Sequence, residues 1–132
     1  PGSANADLVS NLDFAPTFLD MAGVAPPEAM QGESLVPLLK GEHPADWRTS
    51  VYYRYYREPA GHGVAGHEGV RTKRYKLIHF HETEEWELFD LERDPNELKS
   101  VHDDPEYADI REELHAELER LRAYYKAPTP PQ

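Results

Sequence analysis

The sequence predicts an α+β fold: a four-stranded antiparallel sheet packed by a long C-terminal helix and preceded by a helix and an irregular segment. Three observations carry that prediction. Apolar residues recur at helical spacing near both ends of the chain. Between Ser50 and Glu92 they fall instead in four short runs rich in aromatic and β-branched residues, joined by short polar turns. Between the first helix and these runs lies a stretch that Pro and Gly interrupt repeatedly.

Taken in order, "VSNLDFAPTFLDMAG" is the first helix. Ser10 or Asn11 is its cap, Pro16 is tolerated only near its first turn, and Gly23 stands where a left-handed cap belongs. Phe14, Phe18 (or Thr17) and Met21 share one face. The segment "VAPPEAMQGESLVPLLKGEHPADW" leaves room only for a helical turn around Ser34 to Leu39, and so long an irregular connection is unusual in an independent domain. "SVYYRYYRE" is the first strand. "EGVRT" and "RYKLIHF" flank a Thr72-Lys73-Arg74 turn, and "WELFDLE" follows the polar "HETEE". "DPEYADIREELHAELERLRAYYKA" is a long amphipathic helix with Asp103 or Asp104 as cap and Pro105 at its first position. Its stripe of Tyr107, Ile110, Leu114, Leu118, Leu121 and Tyr125 is expected to cover one face of the sheet. "APTPPQ" is a loose tail. The expected divisions are residues 1–49, 50–127 and 128–132.

The chain has 132 residues, enough for one modest core. With Pro1 first and no apolar run near the roughly 18 residues of a membrane span, it reads as a soluble piece cut from a longer chain, with no membrane partner. Having no cysteine, it offers no thiolate ligand or nucleophile. A net charge of −11 argues against a nucleic-acid binder. The distribution is uneven, however: residues 48–76 carry seven cations and two acids, net +5, which leaves −16 for the rest. Such a cluster suits either an anion-facing surface or ordinary sheet edges.

Few residues suggest chemistry. His79 and His81 share a strand face, but sequence spacing supplies no third metal ligand, so no metal site is expected. The acids of "HETEEWE" and "DDPEY" match no calcium loop, and Asp94-Pro95-Asn96-Glu97 is a turn. Among the serines, none lies in a nucleophile elbow, so no catalytic residue is expected in these 132 positions. His62 and His67, beside Arg71 on a glycine-rich segment, suit an anionic, hydroxyl-rich ligand; a solvated loop with incidental histidines is the alternative.

Two longer motifs go further. "VSNLDFAPTFLDMAGVAPPEAMQGESLVPLL" resembles the segment that closes the catalytic domain of type I sulfatases, with D-x-x-P-T-x-L-x-x-A-G ahead of G-x-S-L-x-P-L-L. "GVRTKRYKLI" and "WELFDLERDPNE" resemble the signatures of that family's C-terminal subdomain. The resemblance covers nearly the whole chain. It implies an alkaline-phosphatase-like α/β domain hydrolysing sulfate esters, to which the first helix and irregular segment belong, followed by the small sheet and helix. It also implies a formylglycine made from a C/S-x-P-x-R motif and a calcium ion in the full-length enzyme. Neither group is expected here, since Ser34-Leu35-Val36-Pro37 lacks both the spacing and the Arg.

By this resemblance, the loop between the first two strands leans over the active-site mouth. His62 and His67 would contact the hydroxyls or carboxylates of a sulfated saccharide such as 6-O-sulfated N-acetylglucosamine, with Arg71 supporting the loop or the anion. The chain alone is expected to be inactive, and its missing partner is the N-terminal catalytic domain. Phe14, Phe18 and Leu38 should then be exposed, or buried by self-association through that apolar surface. Other readings are a free-standing carbohydrate-binding or interaction module using Tyr52, Tyr53, Tyr55, Tyr56 and Trp86 as a platform, and a single-stranded nucleic-acid binder.

Overall fold

The computed structural model describes residue 2, residues 4–56 and residues 63–128. His62 lies outside them, as do residues 129–132 of the tail. The chain divides into two compact units, Pro1–Val51 and Tyr52–Gln132.

In the first unit a 3-10 turn, Asn11–Asp13, leads into helix α1, Phe14–Met21. Of the two expected caps the chain uses Ser10. Its hydroxyl accepts from Leu12 N and its own N–H donates to Asp13 Oδ2 at 2.7 Å, a reciprocal capping box. Pro16 lies in the first turn of α1, and Gly23 follows its end at φ +70°. The next helix, α2, is the single turn Val36–Leu39.

The irregular segment is tied to α1 by polar groups. Asp13 is fully buried; its carboxylate accepts from Glu33 N at 2.9 Å and takes both guanidinium nitrogens of Arg48, at 2.7 and 2.9 Å. Thr17 donates to Asp13 O and accepts from Leu35 N at 2.8 Å, while Ser34 donates to Asp20. At Gly32 a Cβ would lie 2.1 Å from Leu12 O, so only glycine lets the two backbones pass. The D-x-x-P-T and G-x-S-L motifs are therefore the two halves of one clamp. Phe14 and Phe18 are exposed as expected, Phe18 at 68%. Leu38 is not: it is only 8% exposed, because a one-turn helix turns Leu38 inward while Leu39, next along it, faces solvent.

The sheet holds β1 (Ser50–Tyr55), β2 (His67–Thr72), β3 (Tyr75–Phe80) and β4 (Glu85–Asp90) in that order. The β2–β3 and β3–β4 pairs are antiparallel, joined by short turns. Thr72 Oγ1 shapes the first turn by accepting from Tyr75 N at 2.8 Å. β2 starts at His67, one residue earlier than "EGVRT" suggested, so His67 is a strand residue rather than a loop one. A second 3-10 turn, Pro105–Tyr107, capped by Asp104, opens α3 (Ala108–Tyr124). The expected stripe meets the sheet: Tyr107, Leu114, Leu118 and Leu121 form one core with Val70, Leu77 and Leu88, and Ile110 and Tyr125 pack at its margin. Asp90 anchors the far end of that core, with Arg74 at 2.8 and 3.1 Å and Tyr107 Oη donating at 3.2 Å. No helix among the described residues is long and apolar enough to cross a membrane.

Candidate functional site

Because side chains alternate along a strand, β2 sends its residues to two different environments. Glu68 and Val70 face α3. His67, Gly69 and Arg71 face the other way, and the register adds Lys76, Ile78 and Phe80 from β3 to their side.

On that open side, the His67 ring lies among aromatic groups. It stacks with Tyr55 at 5.5 Å and meets Phe80 at 5.5 Å and Tyr53 at 6.0 Å. Its Nδ1 donates to Ala65 O at 2.9 Å, which leaves Nε2 as the acceptor of the neutral ring. Gly69 is required beside it, since a Cβ there would lie 2.4 Å from both Tyr53 Oη and Leu77 O. Burial pushes the Tyr53 phenol above its ordinary range. Arg71 is exposed and makes no ion pair among the described residues, whereas Lys76 pairs with Glu97. Four residues apart on a strand, His67 and Arg71 stand about 13 Å from one another. The structure thus places two of the three expected site residues on one face, at opposite ends of it.

The face toward α3 holds a group that sequence spacing did not supply. Glu68 pairs directly with His79 across β2 and β3, and His81 follows two residues on, its N–H donating to Gly66 O at 3.0 Å. One ligand atom from each of Glu68, His79 and His81 lies within 4.8 Å of the others. Tyr52 Oη donates to Glu68 Oε2 at 2.7 Å, and burial followed by this bond raises the Tyr52 phenol. Burial also lowers His81 below the usual imidazole range, against an opposing pull from Glu68. The signal was present in the hairpin: Glu68 and His79 are each the fifth residue out from the Lys73-Arg74 turn, and counting along both arms pairs them.

The tyrosines do not make a platform. Tyr52 faces α3 and stacks on Tyr125, Tyr53 and Tyr55 face the opposite side, and Trp86 lies between His79 and His115. Neither group implied by the resemblance fits these residues. The Ser34 hydroxyl is engaged with Asp20 and Val36 N and has no Arg in the required place, so no formylglycine precursor is present. A calcium ion takes six to eight oxygens; the one metal-capable group among the described residues offers two imidazoles and a carboxylate.

A family model described as N-sulphoglucosamine sulphohydrolase, C-terminal, matches residues 1–124. The chain is 47% identical over 128 residues to an N-acetylglucosamine-6-O-sulfatase of Bacteroides thetaiotaomicron, covering 95% of this chain and 23% of that protein. It is 37% identical over 116 residues to a Δ4,5-hexuronate-2-O-sulfatase of the same organism, with 82% and 22% covered. Among solved structures it superposes with a TM-score of 0.84, at 47% identity, on a protein in complex with its substrate D-glucosamine-2-N,6-O-disulfate, over 89% of this chain and 24% of that one. The chain spans about a quarter of the length of these relatives. With a matched span that takes in the clamp, the whole sheet and α3, this chain belongs to the N-sulphoglucosamine sulphohydrolase C-terminal family.

Proposed function

We propose that the chain is the C-terminal part of a sulfatase that hydrolyses sulfate esters of saccharides, and that it shapes the substrate rim while a preceding domain performs the chemistry. The observation that carries this reading is the family match over residues 1–124 in a chain whose sequence has no C/S-x-P-x-R motif and whose described residues offer no oxygen-rich metal site. Formylglycine and calcium belong to that preceding domain, and the chain alone is inactive. The relatives named as an N-acetylglucosamine-6-O-sulfatase and a Δ4,5-hexuronate-2-O-sulfatase support a sulfated glycan as the substrate class. The first unit, with its exposed Phe14, Phe18 and Met21, continues the alkaline-phosphatase-like α/β domain; without that domain the same surface favours self-association.

Arg71 supplies an exposed cation, unpaired among the described residues, to an anionic saccharide at the rim, and His67 Nε2 accepts from a hydroxyl, with His62 beside them in sequence. The divided tyrosines argue against a free-standing carbohydrate-binding platform, and the charge of −11 against single-stranded nucleic acid. The test uses the full-length enzyme. Arg71→Gln is expected to lower kcat/KM for a sulfated oligosaccharide about ten- to a hundredfold, the loss of one hydrogen bond to a charged group. A small arylsulfate, which does not reach the rim, is cleaved at nearly the wild-type rate. His67→Gln shows the same split with a smaller effect. If both variants process the oligosaccharide at wild-type rates, this face has no part in substrate binding.

A further inference from the structure

We propose that Glu68, His79 and His81 form a binding site for a zinc-type dication, held between the sheet and α3 and independent of the sulfatase reading. The case begins with burial. The Glu68 side chain is 1% exposed, that of His81 6% and that of His79 15%. Buried polar atoms are nearly always hydrogen-bonded, yet among the described residues Glu68 Oε1, His79 Nε2 and His81 Nε2 make no hydrogen bond. His81 Nε2 and Glu68 Oε1 approach to 3.5 Å without bonding geometry. That separation is itself informative, because two ligands bound at 2.0–2.2 Å around a tetrahedral ion stand about 3.4 Å apart.

The donor set selects the metal. Two imidazole nitrogens and one carboxylate oxygen suit zinc and its neighbours, and are poor for calcium or magnesium. Outer groups hold the ligands as metal sites require. Tyr52 Oη occupies Glu68 Oε2 and leaves Oε1 for the ion, while the His79 ring lies flat on Trp86 at 4.0 Å, 10° from parallel. A fourth position falls to water or to Glu84, whose Oε2 is 3.3 Å from His79 Nε2. Two cations oppose the ion: Arg54, whose charge acts on His81 and Tyr52, and Arg122, whose Nε is 3.5 Å from Glu68 Oε1 and which also pairs with Glu119 at 2.7 Å, so Arg122 has another partner when the ion is bound. A bound ion would pin residues 66–68 against the end of β3.

The experiment treats the 132-residue chain with a chelator, dialyses it, and titrates it with zinc chloride and, separately, cobalt(II) chloride. One zinc per chain is expected, with a Kd of about micromolar or tighter, a rise in Tm that calcium and magnesium do not produce, and the visible absorption of low-coordinate cobalt. Glu68→Gln and His81→Gln should each weaken zinc binding at least about tenfold, with circular dichroism checking that both still fold. No stoichiometric zinc on the wild type overturns the proposal whatever the variants do. So does binding that both variants keep, which would assign the ion to surface histidines such as His43.

Discussion

The two units of this chain are held together by different physics. In the unit from Tyr52 onward, the apolar stripe of α3 is spent against the sheet, and seven buried side chains make one continuous core. In the unit up to Val51, the apolar stripe of α1, Phe14, Phe18 and Met21, faces solvent, and Leu38 is its one large apolar side chain buried among the described residues. What organises that unit is the buried Asp13 carboxylate, shared among Arg48, Glu33 N and Ser10 N. The same kind of amphipathic helix is thus a finished element in one unit and an open one in the other. Hydrophobic burial supplies most of a domain's stability, so the second unit has the means to stand by itself, whereas the first has little of that burial and an exposed apolar stripe.

The strongest way to break this contrast is to remove the centre of each unit in turn. Asp13→Ala leaves the Arg48 guanidinium and two backbone N–H groups without their acceptor, a loss of about 3–5 kcal/mol for a buried charge deprived of its partner. Hydrogen exchange should then show residues 10–48 opening while β2, β3 and α3 keep their protection. Leu118→Ala removes a side chain from the sheet–helix core and costs about 2–5 kcal/mol, now opening the sheet and α3. A chain in which both variants lower a single cooperative transition by similar amounts has one folding unit, and the contrast fails.

How much of this was legible in the sequence follows the same division. The strands and α3 were readable because β-rich runs and helical spacing report burial against a partner the chain itself contains; Val70, Leu77 and Leu88 each sit inside one such run, and Leu114, Leu118 and Leu121 recur at helical spacing. The clamp was not, since Asp13 and Arg48 are far apart along the chain and no periodicity links a carboxylate to a guanidinium. Nor was Glu68, which looked like one of many acids until the register set it opposite His79. Of the expected site residues, His67 was read as part of a loop, and that it shares a face of β2 with Arg71 follows only from the strand's start at His67. The stack of His67 with Tyr55 was not legible either, because it depends on which strand lies next to which.

A second measurement sharpens the contrast through pH. The core unit also contains an Arg–carboxylate pair, with a buried Asp90 and a partly exposed Arg74, but there it adds to a core already present. The hydrogen bonds from Arg74 hold Asp90 down to about 2, from an ordinary 3.8. A depressed carboxylate stabilises the fold fully above its unfolded value, so the contribution is complete above pH 4 and disappears as pH falls from 4 toward 2. Urea midpoints of the wild type at pH 5, 3 and 2 should fall across that window, and Asp90→Asn should begin lower at pH 5 and fall less. An equal slope in the variant would assign the acid loss to other carboxylates.

The smallest expected effect is also the one that distinguishes an open element from an ordinary exposed one. Phe18 is 68% exposed on the outer face of α1, and substitutions at exposed positions without special contacts change stability by no more than about 0.5 kcal/mol. Phe18→Ser in this chain should therefore leave the urea midpoint almost unmoved while lowering the binding of an apolar dye and any sedimentation-detected self-association, since it removes the middle of the Phe14, Phe18, Met21 stripe. In the full-length enzyme the same substitution is expected to cost about 3–5 kcal/mol, because there a large aromatic is deleted from a buried contact. A near-zero effect in both settings would mean that the stripe meets nothing, and the first unit would have to be stable on its polar clamp alone.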